Sequence, residues 1–526
     1  MRTDRIESVS VGLARKVSRL ALSGLLASVV LVVAVSLLVA QSHASDGQSQ
    51  SPSLPSVATA GTVTSTQLSS DADSYLNCRF GVGQAANPVI SYDIASLNAG
   101  WYANWGARAD PARPAGTEYV QFLRVSDGAG YGDREHPDPP SYRPSGAKLA
   151  AIVAGNPGAL WVVGNEPDCI WQDNVLPENY AVAYHEAYEA IKALDPTARV
   201  SAGGIVQPTP LRLAYLDAVL DAYVAQYGRS LPTDAWNIHT YILREERDNY
   251  GCDVPPGSDA DAGKLYDIYD SDDLGIFQAR IWDFRDWMYR HGYRDTPLII
   301  SEYGTLLDYY ERDPFVGPDG DPFDEERARE FMYGTFDFLR TASDTAVGYA
   351  ADEDRLVQRW LWYSLDDIYY GGILFDPNTT APMALGVAFG DYTGGILPAP
   401  DLLALGVKQI APVPLSPADG ATVTLEARVS NAGNVPTSGP ITVRFLDADG
   451  GKIGEDRVIA DTIAGCAAVR TVTTTWSNVE PGTHTVQILV DPENEVSESD
   501  EENNEVAGRA LVASNQVFLP LITRLW

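Results

Sequence analysis

Between Arg79 and Ser364, short apolar or aromatic runs recur with amphipathic segments between them. That alternation restricts the chain more than any other feature. The runs fall at 79–82, 100–105, 119–125, 160–164, 200–204, 235–239, 298–301 and 360–364. Near-continuous hydrophobicity of this kind belongs to strands covered on both faces, as in parallel sheets. Apolar spacing of three to four predicts helices over about 178–194, 210–227, 276–291 and 324–341. Ile281, Phe284, Trp287 and Met288 mark the stripe of the third, and Pro196 closes the first. Strands alternating with helices across 73–411 give an α/β fold, and the expected architecture is a (β/α)8 TIM barrel. A doubly wound open sheet would alternate too, but no Gly-rich phosphate loop follows the first strand.

Two of the runs end in a carboxylate. Leu160-Trp161-Val162-Val163-Gly164-Asn165-Glu166-Pro167 stops where proline cannot donate to a ladder, leaving Glu166 at a strand exit. Pro297-Leu298-Ile299-Ile300-Ser301-Glu302-Tyr303-Gly304 delivers Glu302 in the same way. Parallel α/β enzymes place their chemistry at the carboxyl ends of strands, so glutamates on strands four and seven would face each other across a barrel mouth. Either glutamate alone reads equally as a solvated strand end; the pair suggests a two-carboxylate active site.

Gly164-Asn165-Glu166-Pro167 and Ser301-Glu302-Tyr303-Gly304 resemble the acid/base and nucleophile motifs of clan A glycoside hydrolases. The resemblance implies Glu166 as general acid/base, Glu302 as nucleophile, retention of configuration, and Asn165 on the sugar 2-hydroxyl. Gly100-Trp101-Tyr102-Ala103-Asn104-Trp105-Gly106 and Trp236-Asn237-Ile238-His239-Thr240-Tyr241 resemble the β-1,3-glucanase-like glycosyl hydrolase catalytic core, although the third strand carries Phe122-Leu123-Arg124 where that group has Pro-Met-Trp. His239 and Tyr241 alternate onto one side of their strand, which points both at the mouth or makes His239 a core residue. The clan places a platform tryptophan where Trp362 ends strand eight; the alternative for Trp362 is barrel core. Trp101, Asn104 and Trp105 are further substrate-binding candidates, and Arg124 is a partner for Glu302 or for an outward ion pair. The expected substrate is a poly- or oligosaccharide with β linkages, a β-glucan by the finer resemblance. The competing reading is a non-catalytic surface carbohydrate-binding or adhesion protein on a glycosidase-like barrel; a third is an inverting or α-specific enzyme on the same fold.

Beyond about residue 411 the texture changes. Period-two strands appear at 423–429, 441–445, 469–476 and 484–490, which predicts an all-β, immunoglobulin-like sandwich over 412–513. Val429-Ser430-Asn431-Ala432-Gly433-Asn434 and Val490-Asp491-Pro492-Glu493-Asn494-Glu495-Val496 resemble the CARDB sandwich, whose members act as spacers or as contacts to carbohydrate, cell surface or matrix. Residues 514–526 form a tail.

Arg2, Arg5, Arg15, Lys16 and Arg19 precede an apolar stretch from Leu20 to Ala40, so 1–44 is read as a signal peptide or membrane anchor and 45–72 as a flexible linker. The expected location is extracytoplasmic, secreted or anchored at the cell surface. A net charge of −34, from 71 acidic against 37 basic residues, excludes nucleic acid as the main partner; a monomer is expected. Export permits disulfides among the four cysteines, and Cys169–Cys252 is the preferred pair because both are placed on the face that carries Glu166. No Cys/His spacing suits zinc, and Asp319-Gly320-Asp321 lacks the remaining calcium ligands, so no metal or cofactor is expected.

Overall fold

The computed structural model describes residues 76–306, 316–317, 320, 322–410 and 421–512. The basic amino terminus with its apolar stretch, the linker 45–72, Asp319, Asp321 and the tail 514–526 lie outside the described residues.

The first ten strands are β1 Asn77–Gly83, β2 Ala99–Ala103, β3 Glu118–Tyr119, β4 Gln121–Ser126, β5 Ser141–Arg143, β6 Leu160–Val163, β7 Arg199–Ala202, β8 Trp236–His239, β9 Leu298–Tyr303 and β10 Arg359–Trp362. The helices are α1 Gly146–Gly155, α2 Pro177–Leu194, α3 Pro210–Tyr227, α4 Leu274–Arg290, α5 Glu325–Thr341 and α6 Ala384–Gly394. β1 is paired in parallel on both edges, by β2 and β10. From β10 the parallel order runs to β9 and β8, and β4 runs to β6 and β7. β3 and β4 are one strand path broken at Val120, and β7 meets β8 through the parallel bridge Ser201–Ala235. The result is a barrel-like ring, with β5 added antiparallel on β4.

One departure from eight strand–helix units is clear. Among the described residues, the connections β1–β2 and β2–β3 hold only short 3-10 turns, at Val89–Ser91, Ile94–Leu97 and Pro114–Gly116. Pro88 and Pro114 remove backbone donors within these two connections.

Inside the ring, Trp101, Ala103, Val120, Phe122, Leu160, Val162, Ile299 and Leu361 form the central layer. The opposite faces of the same strands, with Phe80, Trp161, Trp236 and Trp360, pack against the helices. Gly81 is required here, because a Cβ at that position would lie 2.4 Å from the Trp101 ring.

The second unit comprises β11 Leu402–Gln409, β12 Ala421–Asn431, β13 Ile441–Asp447, β14 Arg457–Ile459, β15 Ala468–Val479, β16 Gly482–Val490 and β17 Glu505–Val512, in the order β14-β13-β16-β17-β11-β12-β15. β11 pairs antiparallel with β12, so this unit takes in residues 402–409, which the sequence texture assigned to the barrel. The run Leu402-Leu403-Ala404-Leu405 hides its period behind apolar residues on both faces, which is why the boundary fell late.

The sandwich docks on the amino ends of the barrel strands. Arg79, near the start of β1, binds Asp352 through both terminal nitrogens at 2.8 and 2.7 Å and donates to the Ala432 carbonyl at 2.7 Å. Ser430 donates to the Ala351 carbonyl at 2.6 Å, and a disulfide joins Cys78 to Cys466. This interface is at the opposite end of the strands from Glu166 and Glu302.

Candidate active site

The exit of β6 is held in an unusual backbone. Gly164 has φ 94 and Glu166 has φ 46, left-handed for a non-glycine residue, a conformation that persists only where its surroundings enforce it. They do so here. The Glu166 amide donates to the Gly204 carbonyl at 2.9 Å, and the Asn165 amide donates to Asp173 Oδ2 at 2.8 Å. Asp173 also accepts from the Val125 amide at 3.1 Å and is paired with Arg124 at 2.5 Å. Arg124 therefore braces the loop after β6 rather than Glu302. One step further along, Asp168 meets Arg212 at 2.7 Å, Arg212 meets Glu245 at 2.8 Å, and all three side chains are fully buried. Arg212 also donates to the Asp253 carbonyl, and Cys169 is bridged to Cys252 with their Cα atoms 5.1 Å apart. Loops from β6 and β8 are thus tied together beside Glu166.

Across the mouth, β9 presents Glu302. Its Oε1 accepts from the Tyr241 hydroxyl at 3.0 Å. His239, fully buried at the end of β8, places Nδ1 2.7 Å from Glu166 Oε1 and 3.8 Å from Glu302 Oε2. The ring lies over Gly204, where a Cβ would meet its Cδ2 at 2.6 Å. Its other nitrogen is 3.1 Å from Ser301 Oγ, which accepts from Asn237 Nδ2 at 2.8 Å. One oxygen of each glutamate and a nitrogen of His239 all lie within 4.8 Å of one another.

Glu302 and His239 are both perturbed here. Burial and the nearby charge of Glu166 push Glu302 up to about 7, against the opposing pull of His239, Tyr241 and Trp105. Burial pulls His239 down, but Glu302 and Glu166 outweigh it and leave the imidazole raised. Out of water and this close to Glu166, Glu302 ionises less readily than a free carboxyl group. The same three atoms have the spacing of a cation triad, but a metal on Nδ1 would displace the 2.7 Å hydrogen bond to Glu166.

The structure brings Glu166, Glu302, Asn165, His239, Tyr241 and Trp105 to one mouth. Asn165 is buried with its Oδ1 lacking a partner, and Trp105 packs on Tyr363 with ring centroids 5.4 Å apart. Three candidates lie elsewhere. Trp362 is fully buried between the strands and helices, against Tyr303, Phe331 and Phe336, with its indole N–H on the Gly372 carbonyl at 2.7 Å. Its parity is that of Trp360, which faces outward, and the inward position belongs to the next residue, Tyr363. Trp101 fills the barrel interior, under Arg359 and bonded to the Arg79 carbonyl at the amino-terminal end. Asn104 is held by the Tyr119 hydroxyl at 2.5 Å. Residues that sequence reasoning missed are Tyr363, Ser301 and Asn237. The side-chain alternation of β10 gives a signal for the first only when its end is fixed to the residue.

Two carboxylates thus face each other at the carboxyl end of a ring of parallel strands. Residues 399–508 match the family described as CARDB, so the C-terminal unit is a CARDB domain. No curated protein matches the chain. Solved structures similar to the N-terminal part are glycoside hydrolases. A GH128 (subgroup II) endo-beta-1,3-glucanase from Pseudomonas viridiflava is 17% identical, with 59% of this chain and 96% of that chain covered at a TM-score of 0.38. A GH128 (subgroup III) curdlan-specific exo-beta-1,3-glucanase from Blastomyces gilchristii, in complex with glucose, is 18% identical, covering 59% and 97% at a TM-score of 0.38. A CARDB domain from Pyrococcus furiosus, in complex with di-metal ions, is 22% identical, covering 22% and 90% at a TM-score of 0.18.

Proposed function

We propose that this chain is an exported retaining glycoside hydrolase, built on a (β/α)8 barrel, that cleaves a β-linked glycan of the β-glucan class. The observation that carries the reading is the Glu166–His239–Glu302 constellation, with oxygens of the two carboxylates within 4.8 Å of each other. Retaining enzymes hold their carboxyl groups about 5–5.5 Å apart, whereas inverting enzymes leave about 6.5–9.5 Å for a water. Glu302 acts in its charged form, reached as the pH rises through about 7, where the Tyr241 hydroxyl donates to it, and Glu166 acts as the proton donor by the motif resemblance. Glu302 attacks the anomeric carbon while the bond to the leaving oxygen breaks and that oxygen takes the proton of Glu166. Water then attacks the glycosyl ester and gives its proton to Glu166, which frees Glu302. Asn165, with an unpartnered buried Oδ1, is placed to accept from a sugar hydroxyl.

The division of labour and the glucan class rest on the motif resemblance. Export is supported by the basic, then apolar, amino terminus and by the Cys78–Cys466 and Cys169–Cys252 disulfides, which persist in oxidising compartments. The CARDB domain lies at the far end of the barrel from the mouth, and in this reading it contacts a surface or matrix. Purified protein should release reducing sugar from a panel of β-glucans, and Glu302→Gln should abolish the release while the circular dichroism spectrum stays unchanged. Release that survives this substitution, or a panel that yields none, overturns the reading.

A further inference from the structure

The mouth carries two aromatic walls, and only one of them is accounted for by the reacting carboxylates. Next to Glu302, Trp105 packs on Tyr363 and Tyr363 on Tyr370, with centroids 5.4 Å apart in each pair. On the other side, next to Glu166, Tyr131 packs on Trp171 at 5.2 Å and 50°. Trp171 sits on the cluster formed by Cys169, Cys252 and Val206, and both sulfurs lie within 4.8 Å of a Glu166 oxygen. Its position is fixed by Gly132, where a Cβ would meet the indole at 2.3 Å. The two loops are laced by Gly132 N–H to the Ile170 carbonyl at 2.7 Å and by Asn174 to the Gly130 and Asp133 carbonyls at 3.1 and 2.8 Å.

Two features of this second wall call for a ligand. Tyr131 is 45% exposed, although this loop is well braced, and the indole nitrogen of Trp171 is buried without a hydrogen-bond partner. A flat apolar face beside an unused donor is what a pyranose ring offers partners for: C–H groups to the aromatic face and a hydroxyl to the N–H. The wall's place beside the proton donor decides which sugar it takes.

We infer that Tyr131 and Trp171 form an aglycone-side subsite that stacks a sugar ring of the leaving chain, so that binding energy from both sides of the scissile bond is available to an oligosaccharide but not to a glycosyl fluoride, whose leaving group is a single atom. The inference rests on the assignment of Glu166 as proton donor in the proposed function. It adds that the substrate extends past the cleavage point.

The test separates binding from turnover. In the Glu302→Gln background, oligosaccharides of about four to six β-linked glucose units, in 1,3-, 1,4- and 1,6-linked sets, are titrated against tryptophan fluorescence. Tyr131→Ala should weaken the binding of the best set by roughly 3- to 10-fold, the worth of one aromatic contact. Trp171→Phe, which keeps an aromatic face but removes the pyrrole ring with its N–H, should weaken it by a similar factor. With Glu302 intact, Tyr131→Ala should lower kcat/KM on those oligosaccharides and leave β-glucosyl fluoride, which does not reach the subsite, within about twofold. Binding unchanged in both variants, equal losses on the glycosyl fluoride, or no binding by any set overturns the subsite. Intact binding by a chain that turns over nothing overturns the hydrolase reading and leaves the subsite standing.

Discussion

Glu302→Gln should remove catalysis and yet stabilise the barrel. Burial and the charge of Glu166 raise Glu302 to about 7 from the ordinary 4.5. Between those values the folded protein keeps a proton that the unfolded chain has released. Stability is therefore full below about pH 4.5, falls as the pH rises to about 7, and stays reduced above it, where the fold carries a buried charge. The gap is worth about 3 kcal/mol at 1.36 kcal/mol per pH unit. His239 is raised as well, so its contribution is full below its unfolded value and is lost as the pH rises through its folded value. Its part in the comparison is gone in the alkaline range. Glutamine fills the same space without the charge. For a barrel running from β1 to α6, an unfolding entropy of about 2.1 cal/mol/K per residue turns about 3 kcal/mol into roughly 4–5 °C. Scanning calorimetry of wild type and variant at pH 8.5 should show the barrel transition of Glu302→Gln higher by that amount, and the difference should close towards pH 4.5. A variant that melts at or below wild type at pH 8.5 would refute the claim that this carboxylate is held against its solvation preference.

Three other outcomes are expected. Arg212→Met leaves Asp168 and Glu245 buried without their cation, so thermal unfolding should show a loss of about 3–5 kcal/mol. Ser301→Ala removes the contact to the distal nitrogen of His239; kcat/KM should fall roughly 2- to 12-fold, with a shifted pH profile and little change in melting temperature. Replacing Cys78 and Cys466 together by serine should cost about 2–5 kcal/mol in unfolding with activity on soluble oligosaccharides retained, whereas the same change at Cys169 and Cys252 should lower that activity, because only the second bridge touches Glu166.

What the sequence made legible follows from what repeats. Apolar strand runs and three-to-four helical spacing placed β6, β9, α2 and α3 almost to the residue, since burial on both faces or on one stripe leaves a local pattern. The paired glutamates were legible because each breaks such a run. Trp362 was misplaced by a single residue of parity, and a shift of one flips a strand side chain to the other face; Tyr363 holds the inward position. Trp101 looked like a mouth residue, but Gly81 opens room for it inside the barrel. Tyr131 and Trp171 sit on irregular loops, where no period announces which way a ring points. The Cys78–Cys466 bridge spans 388 residues and depends on how the two units dock, which no local pattern encodes.

The central claim is that Glu302 forms a covalent bond to sugar while Glu166 moves the proton. Mass spectrometry of the enzyme after reaction with an activated 2-deoxy-2-fluoro-β-glycoside, followed by peptide mapping, tests it directly. The account predicts one sugar, attached to the peptide that carries Ser301-Glu302-Tyr303. An adduct on Glu166, or none on an enzyme that turns over the unfluorinated glycoside, would contradict it.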